Sequence, residues 1–285
     1  MAESTREIRR RIRSIKNIGQ ITKAMELVSA AKMRRAQAQA LASRTYARLT
    51  SELLRNLMAK VEDFEHPLLK KVKGDDFSKL IILITSDRGL AGALNTNVIN
   101  AALRKSEEFG KERVDFLTVG KKSADAVKRF KMNIVAAFPS RDKNVTILDA
   151  RAISEIAVKD YLSGRYDGVY IVYSEFISTL SQRPNVLQLL PLIPSAEADR
   201  EEYIFEPNIS KILDKLLYRG IEFALYQTLV ESVASEHSAR MVAMRNANEA
   251  SRDLVSELEL TYNQARQSGI TRELAEISAA KLAME

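Results

Sequence analysis

The stretch "SDRGLAGALNTN", residues 86–97, follows the apolar run "KLIILIT", where a nucleotide-binding protein would keep a phosphate loop. A loop of the Walker type needs Gly-x-x-x-x-Gly-Lys-Ser/Thr, because the lysine reaches the outer phosphates and the hydroxyl holds magnesium. Here Ala93, Leu94 and Asn95 follow Gly92, and neither group is present. The dinucleotide fingerprint Gly-x-Gly-x-x-Gly is absent too. What remains is Gly-x-x-Gly at the start of a helix, with Ser86 or Asp87 as its cap. Backbone amides there could hold an anion, but a close strand-to-helix turn is the expected reading.

Other chemistry is sparse. His66 and His237 lie 171 residues apart, and no nucleophile, base and orienting acid stand in triad order. Asp87, at the end of the first strand, is the best acidic candidate and stands alone. With no cysteine, a disulfide framework, a thiolate metal site and a thiol nucleophile are all excluded. The expectation is therefore no cofactor and no metal. Residues 1–60 carry 14 Lys/Arg against 4 Glu, while the whole chain is +7. The basic arm "REIRRRIR" could meet phosphates. It runs straight into an apolar helical stripe without base-stacking aromatics, so nucleic acid is not the expected partner. The longest aliphatic run, Leu80 to Ile84, is far short of the ~20 residues that span a bilayer. Glu3, Glu7 and the continuing helical pattern argue against a removable leader.

The elements that must position these residues can be read from the helix breakers. All six prolines lie between residues 67 and 207. Since proline costs ~3 kcal/mol inside a helix, long helices are permitted only in the flanks. Ile8, Ile12, Ile15, Ile18, Thr22, Met25, Ser29 and Ala36 recur at helical spacing. His237, Met241, Met244, Asn248, Ser251, Val255, Leu258, Tyr262 and Ala265 alternate four and three. A period of 3.5 is the seam of a left-handed coiled coil, and helices this long need a partner. The spacing predicts an antiparallel pair, about 4–58 with about 209–283. At 1.5 Å per residue these reach roughly 80 Å and roughly 110 Å, so about 20 residues should extend as a single helix. That end, "ITRELAEISAAKLAME", puts Ile270, Leu274 and Ile277 on one face.

Between the flanks, strand-like runs at 79–85, 113–119, 133–138 and 168–176 alternate with helical stretches at about 91–109, 121–130 and 149–164. Alternation of this kind implies a parallel sheet with helices on its faces. "ISTLSQRPNVLQLLPL" adds an antiparallel edge strand. The expected fold class is α/β: a long antiparallel coiled coil of N- and C-terminal helices plus a central Rossmann-like α/β domain with a mixed sheet. The expected divisions are 1–66, 67–207 and 208–285.

Two flanking blocks, "REIRRRIRSIKNIGQITKAMELVSAAKMRRAQ" and "SEHSARMVAMRNANEASRDLVSELELTYNQARQSGITRELAEI", closely resemble the gamma subunit of F-type ATP synthases. "TSDRGLAGALN" is similar to that family's "TSDRGLCGGLN". The resemblance implies a non-catalytic central-stalk rotor. One copy stands inside a ring of three alpha and three beta subunits, above epsilon and the c-ring of the proton-translocating membrane sector. It implies that Arg266 and Gln267, with Thr271 following, meet a beta-subunit loop. Met25 would lie on the matching part of the N-terminal helix, and Arg34 and Arg35 would face acidic residues of beta. It also implies that Tyr203, Phe205 and Glu206, in "YIFEP", meet the c-ring and epsilon. Membrane association would be indirect and peripheral, on the cytoplasmic side. The cysteine pair of the redox-regulated chloroplast form is absent, and the intact N-terminus favours a bacterial form. From the residues alone, a nucleotide- or small-ligand-binding α/β protein with coiled-coil arms stays open.

Overall fold

A computed structural model describes residues 5–60, 66–69, 78–140, 145–192, 209–282 and 284. Its elements are α1 (Thr5–Lys60), β1 (Ser78–Ile84), α2 (Leu94–Phe109), β2 (Val114–Val119), α3 (Lys121–Arg129), β3 (Asn133–Phe138), α4 (Ile147–Leu162), β4 (Tyr166–Phe176), β5 (Gln182–Leu190) and α5 (Ile209–Leu282), with a 3-10 turn at Lys111–Arg113. Two compact units result: Met1–Val28 with Met241–Glu285, and Ser29–Arg240.

The larger unit is built on one sheet in the order β3-β2-β1-β4-β5. Its first four strands are parallel, and β5 is antiparallel to β4 at the edge. β1 reads as an unbroken aliphatic run because both its faces are covered. Leu80, Ile82 and Ile84 point to a core shared with α4 and α5, while Ile81 and Leu83 point to one shared with α2 and α3. In α5, Leu213, Leu217, Ile221 and Leu225 recur every four residues and are fully buried, so the helix presents a continuous apolar stripe to the sheet. At the start of α4 the Asp149 carboxylate accepts the Thr146 backbone N–H at 2.9 Å, satisfying a donor that the helix leaves open.

The smaller unit pairs the start of α1 with the later part of α5, antiparallel. Arg9 hydrogen-bonds the Tyr262 hydroxyl, and Lys16 meets Glu259 at 2.7 Å. The predicted seam holds at Ile8, Thr22, Met244, Asn248 and Ser251, which are buried. Ile12, Ile15, Val255, Leu258, Tyr262 and Ala265 are half-buried between exposed neighbours. It slips at Ile18, which is 49% exposed. Gly19 takes the seam instead; a Cβ there would lie 3.5 Å from the Cβ of Ser251. Where the backbones approach this closely only a small residue fits the layer, and the preceding side chain, about 100° round the helix, turns outward. The polar seam residues satisfy themselves locally. Thr22 Oγ1 donates to Gly19 O at 3.0 Å, and Ser251 Oγ to Ala247 O at 2.7 Å. Such bonds remove the cost of burial and leave little apolar area to hold the pair.

Candidate functional site

The loop from β1 to α2 is held by its own side chains. Ser86 N donates to Asn95 Oδ1 at 3.1 Å, Ser86 Oγ to the Arg88 carbonyl at 2.6 Å, and Asn95 Nδ2 to Ser86 Oγ at 2.8 Å. Leu90 sits in the left-handed region at φ 61°, which a non-glycine residue adopts only where its surroundings hold it there. The expected capping differs in detail. The residue preceding α2 is Ala93, without a side-chain cap, because the loop runs three residues further than the pattern suggests. Asp87 reaches across instead: its Oδ1 accepts Lys121 N at 2.8 Å, at the start of α3, and Ser140 N at 3.2 Å, beyond β3. Thus one carboxylate takes amides from the turns after β2 and β3, donors of the kind that hold an anion at a helix start.

On the carbonyl side of the loop stands Arg240 of α5. Its guanidinium donates to Gly89 O from Nε and Nη2, both at 3.3 Å, and to Glu236 at 2.7 Å. Arg240 and Glu236 are both buried. Sequence reasoning missed this contact; its one trace is the i, i+4 charge pair inside the small-residue run "ESVASEHSAR". His237, between them, is 1% exposed, a packed imidazole. His66 meets Asp214 at 3.0 Å and sets its ring edge against Tyr218. Among the described residues no group of three or more potential metal-binding side chains is found, and no helix is long and apolar enough to cross a membrane. The perturbed phenols lie within or beside β4 and α4. Burial, and next the charge of Glu231, push Tyr173 up to about 12. Burial, and then the hydrogen bond from its hydroxyl to Asp115, raise Tyr166.

The residues proposed as contacts in the helix pair are scattered along it. Arg266, Gln267 and Thr271 are exposed, and Thr271 Oγ1 donates to Gln267 O at 2.9 Å. Met25 is half-buried, and it does not lie beside Arg266. The residue on α1 that touches Tyr262 is Arg9, and Met25 lies 16 positions further on, roughly 24 Å by helical rise. The antiparallel register therefore sets Met25 and Arg266 at different levels. Arg34 and Arg35, in the larger unit, are exposed. Tyr203, Phe205 and Glu206 fall outside the described residues.

The ATP synthase family profile matches residues 4–284. The ATP synthase gamma chain of Roseiflexus sp. (strain RS-1) is 44% identical over 285 residues, 99% of this chain and 98% of that one. That of Pelotomaculum thermopropionicum is 42% identical, covering 99% of each. The chain belongs to the ATP synthase gamma chain family. Among solved structures, the central stalk and c-ring of the Tetrahymena thermophila mitochondrial ATP synthase includes a similar chain, with TM-score 0.60 and 26% identity. The match covers 80% of this chain and 99% of that one. A chain of the Euglena gracilis mitochondrial ATP synthase rotor shares the fold, with TM-score 0.66 at 21% identity over 93% of this chain and 98% of its own. A gamma chain is one subunit of the ATP synthase complex.

Proposed function

We propose that this gamma chain is the non-catalytic rotor in the central stalk of a proton-translocating F-type ATP synthase. It carries rotation of the membrane c-ring to three catalytic sites formed by alpha and beta subunits. The observation that supports this reading best is the far end of α5. Residues 271–280 are all exposed, and Ile270, Leu274 and Ile277 are 51%, 59% and 66% exposed along one face. A single apolar-edged helix is costly to leave bare in water, and it suits enclosure by other chains. A pair of unlike helices has no threefold axis, so inside a ring of three alpha and three beta subunits it presents a different face to each catalytic site. Turning the pair then exchanges those faces in sequence.

In this reading Arg266, Gln267 and Thr271 contact alpha and beta near the enclosed end, and Met25, Arg34 and Arg35 contact them too. Tyr203, Phe205 and Glu206 meet epsilon and the c-ring. Residues 1–66 and 208–285 form the shaft and 67–207 the foot. One copy serves each complex, which sits at the cell membrane, peripheral, on its cytoplasmic side. The loop at 86–97 is architectural, with Asp87 and Arg240 engaging groups that a phosphate and its lysine would otherwise meet.

The test is assembly with alpha, beta and epsilon, followed by ATP hydrolysis and ATP-driven proton pumping in rebuilt membranes. A complex with one copy of this chain per three alpha and three beta subunits is expected. The Arg266→Ala, Gln267→Ala double variant should pump less per ATP hydrolysed, with the α/β unit still folded. A chain that stays apart from alpha and beta would refute the rotor reading. A double variant equal to wild type in assembly, hydrolysis and pumping would refute the contact assignment alone.

A further inference from the structure

Over the stretch 235–240, side chains of α5 reach main-chain carbonyls on two sides. Ser235 Oγ donates to Ser174 O at 2.9 Å, and Ser238 Oγ donates to Thr179 O in the turn between β4 and β5. Arg240 donates to Gly89 O, in the loop after β1, from two nitrogens at 3.3 Å. At roughly 100° per residue, Ser235 and Ser238 share one flank of the helix and Arg240 projects about 140–160° away from them. The β4–β5 hairpin and the β1–α2 loop therefore grip α5 from opposed sides, and the larger unit ends at Arg240. The order β3-β2-β1-β4-β5 puts the switch point of the sheet between β1 and β4, the crevice in which an open α/β fold receives a ligand. Here Gly89 O and Ser174 O, at that crevice, both accept from the chain's own helix.

The two jaws are built to hold one position. Ser174 lies opposite Pro184 in β5, and proline has no N–H to give, so the Ser235 hydroxyl supplies a donor that the strand partner lacks. The β4–β5 turn closes on itself: Ser178 N donates to Ser181 O at 3.0 Å and Ser181 N to Ser178 O at 3.2 Å. Gln182 Nε2 ties it again, to Ser178 O, Thr179 O and Ser238 Oγ at 3.1, 3.2 and 3.4 Å. Ala234, Ser235 and Ser238 are fully buried, and side chains this small let the α5 backbone lie close to the sheet. Earlier in the helix, Leu213, Leu217, Ile221 and Leu225 hold it by one apolar face. Apolar contact is non-directional, so a helix held that way can roll. A helix bonded to backbone on two flanks cannot.

We propose that Ser235 and Ser238, with Arg240 opposite, form a key against rolling: positioning residues through which torque passes between the α/β unit and α5. The proposal rests on the rotor reading. Its test compares the Ser235→Ala, Ser238→Ala double variant with Thr228→Val in the full chain. Thr228 is buried too, but its hydroxyl donates to Leu225 O at 2.8 Å, within α5 itself, so its loss weakens the fold without touching the key. In the free chain, amide exchange across residues 176–182 should quicken about tenfold or more in the double variant, as two lost hydrogen bonds imply. It should stay unchanged in Thr228→Val. Assembled with alpha, beta, epsilon and the membrane sector, the double variant should pump fewer protons per ATP hydrolysed, and Thr228→Val should match wild type. Unchanged exchange in the double variant would overturn the grip. Quickened exchange with unchanged pumping per ATP would overturn its part in torque, and an equal loss in Thr228→Val would overturn both. A wild-type chain that stays apart from alpha and beta would refute the rotor reading, while exchange in the free chain still decides whether Ser235 and Ser238 hold the hairpin.

Discussion

Gly120 is the residue at which the carboxyl ends of the sheet leave least room. Its φ is 95°, and a Cβ built there would lie 2.2 Å from the Thr85 carbonyl oxygen and 2.8 Å from its carbon. Backbone cannot swing away as a flexible side chain can, so Gly120→Ala must part the ends of β1 and β2 by about 1 Å to restore ordinary contact. That movement strains a closely spaced set of bonds: Thr85 N to Val119 O at 2.8 Å, Gly120 N to Phe138 O at 2.8 Å, Ser123 N to Thr85 Oγ1 at 2.7 Å and Lys121 N to Asp87 at 2.8 Å. The Gly120 φ of 95° and ψ of 148° lie close to a region essentially reserved for glycine, which costs an alanine about 1–3 kcal/mol. Losing two or three buried hydrogen bonds at about 1 kcal/mol each brings the total to about 3–6 kcal/mol. Gly164 supplies the control. Its φ is 78°, and nothing lies within 4 Å of a Cβ placed there, so Gly164→Ala should lose only the conformational part, about 1–2 kcal/mol. Urea unfolding followed by near-ultraviolet dichroism of the tyrosines would read both, since Tyr166, Tyr170 and Tyr173 all lie in β4. A Gly120→Ala variant within about 1 kcal/mol of Gly164→Ala would refute the claim that the strand ends are locked by backbone approach.

Two further outcomes are expected. Arg240→Met leaves the buried Glu236 carboxylate without its ion-pair partner and should destabilise the α/β unit by about 3–5 kcal/mol in urea; adding Glu236→Gln should recover most of that loss. Tyr173 ionises from an ordinary value of 10 when unfolded and about 12 when folded. The fold thus favours the protonated phenol, its stabilisation is complete below pH 10, and of order 3 kcal/mol is lost as pH rises from 10 to 12. Tyr166 is shifted the same way, so spectrophotometric titration should find these phenols ionising together with unfolding. Ionisation near pH 10 in the folded chain would contradict that.

The parts of this architecture that were legible in the sequence are those with one dominant physical cause. β1 is apolar at every position from Leu80 to Ile84 because it is covered on both faces, and the α5 seam keeps its four-three alternation over nine residues. Ile18 misled because hydrophobicity marks a seam only where the helices stand far enough apart to need a large residue; at this layer Gly19 fits and Ile18 does not. Asp87 was legible as a residue able to cap a helix, but not as the cap of a different one: its partners, Lys121 and Ser140, are 34 and 53 positions away. Arg240 and Gly89 are separated by 151 positions, and no local pattern encodes that meeting. Apart from the half-buried Met25, the contact residues assigned by resemblance are exposed or lie outside the described residues, and exposure carries no packing signature that spacing could reveal.

The two ends of α5 are built for opposite tasks, and the burial of its side chains along the sequence makes the difference physical. Leu213, Leu217, Ile221, Leu225 and Leu229 are at most 6% exposed. At about 2 kcal/mol for each buried side chain, they tie the first part of the helix to the sheet by of order 10 kcal/mol, as an upper estimate. Along the later part the seam turns to Asn248, Ser251 and half-buried single residues, and residues 271–280 touch solvent throughout. A shaft needs that gradient. In the rotor reading, torque entering at the foot must not slip, which favours a wide apolar grip and a buried clamp such as Arg240 on Gly89. In the same reading the far end turns inside other chains, which favours few fixed polar bonds of its own. Placing a strong leucine zipper along the later part would stiffen the pair, but it would also remove the small and polar residues, Gly19 and Ser251 among them, that let the two backbones lie close together. In the rotor reading the weak seam is therefore the consequence of slimness, and the stability it forgoes is supplied at the other end of the same helix.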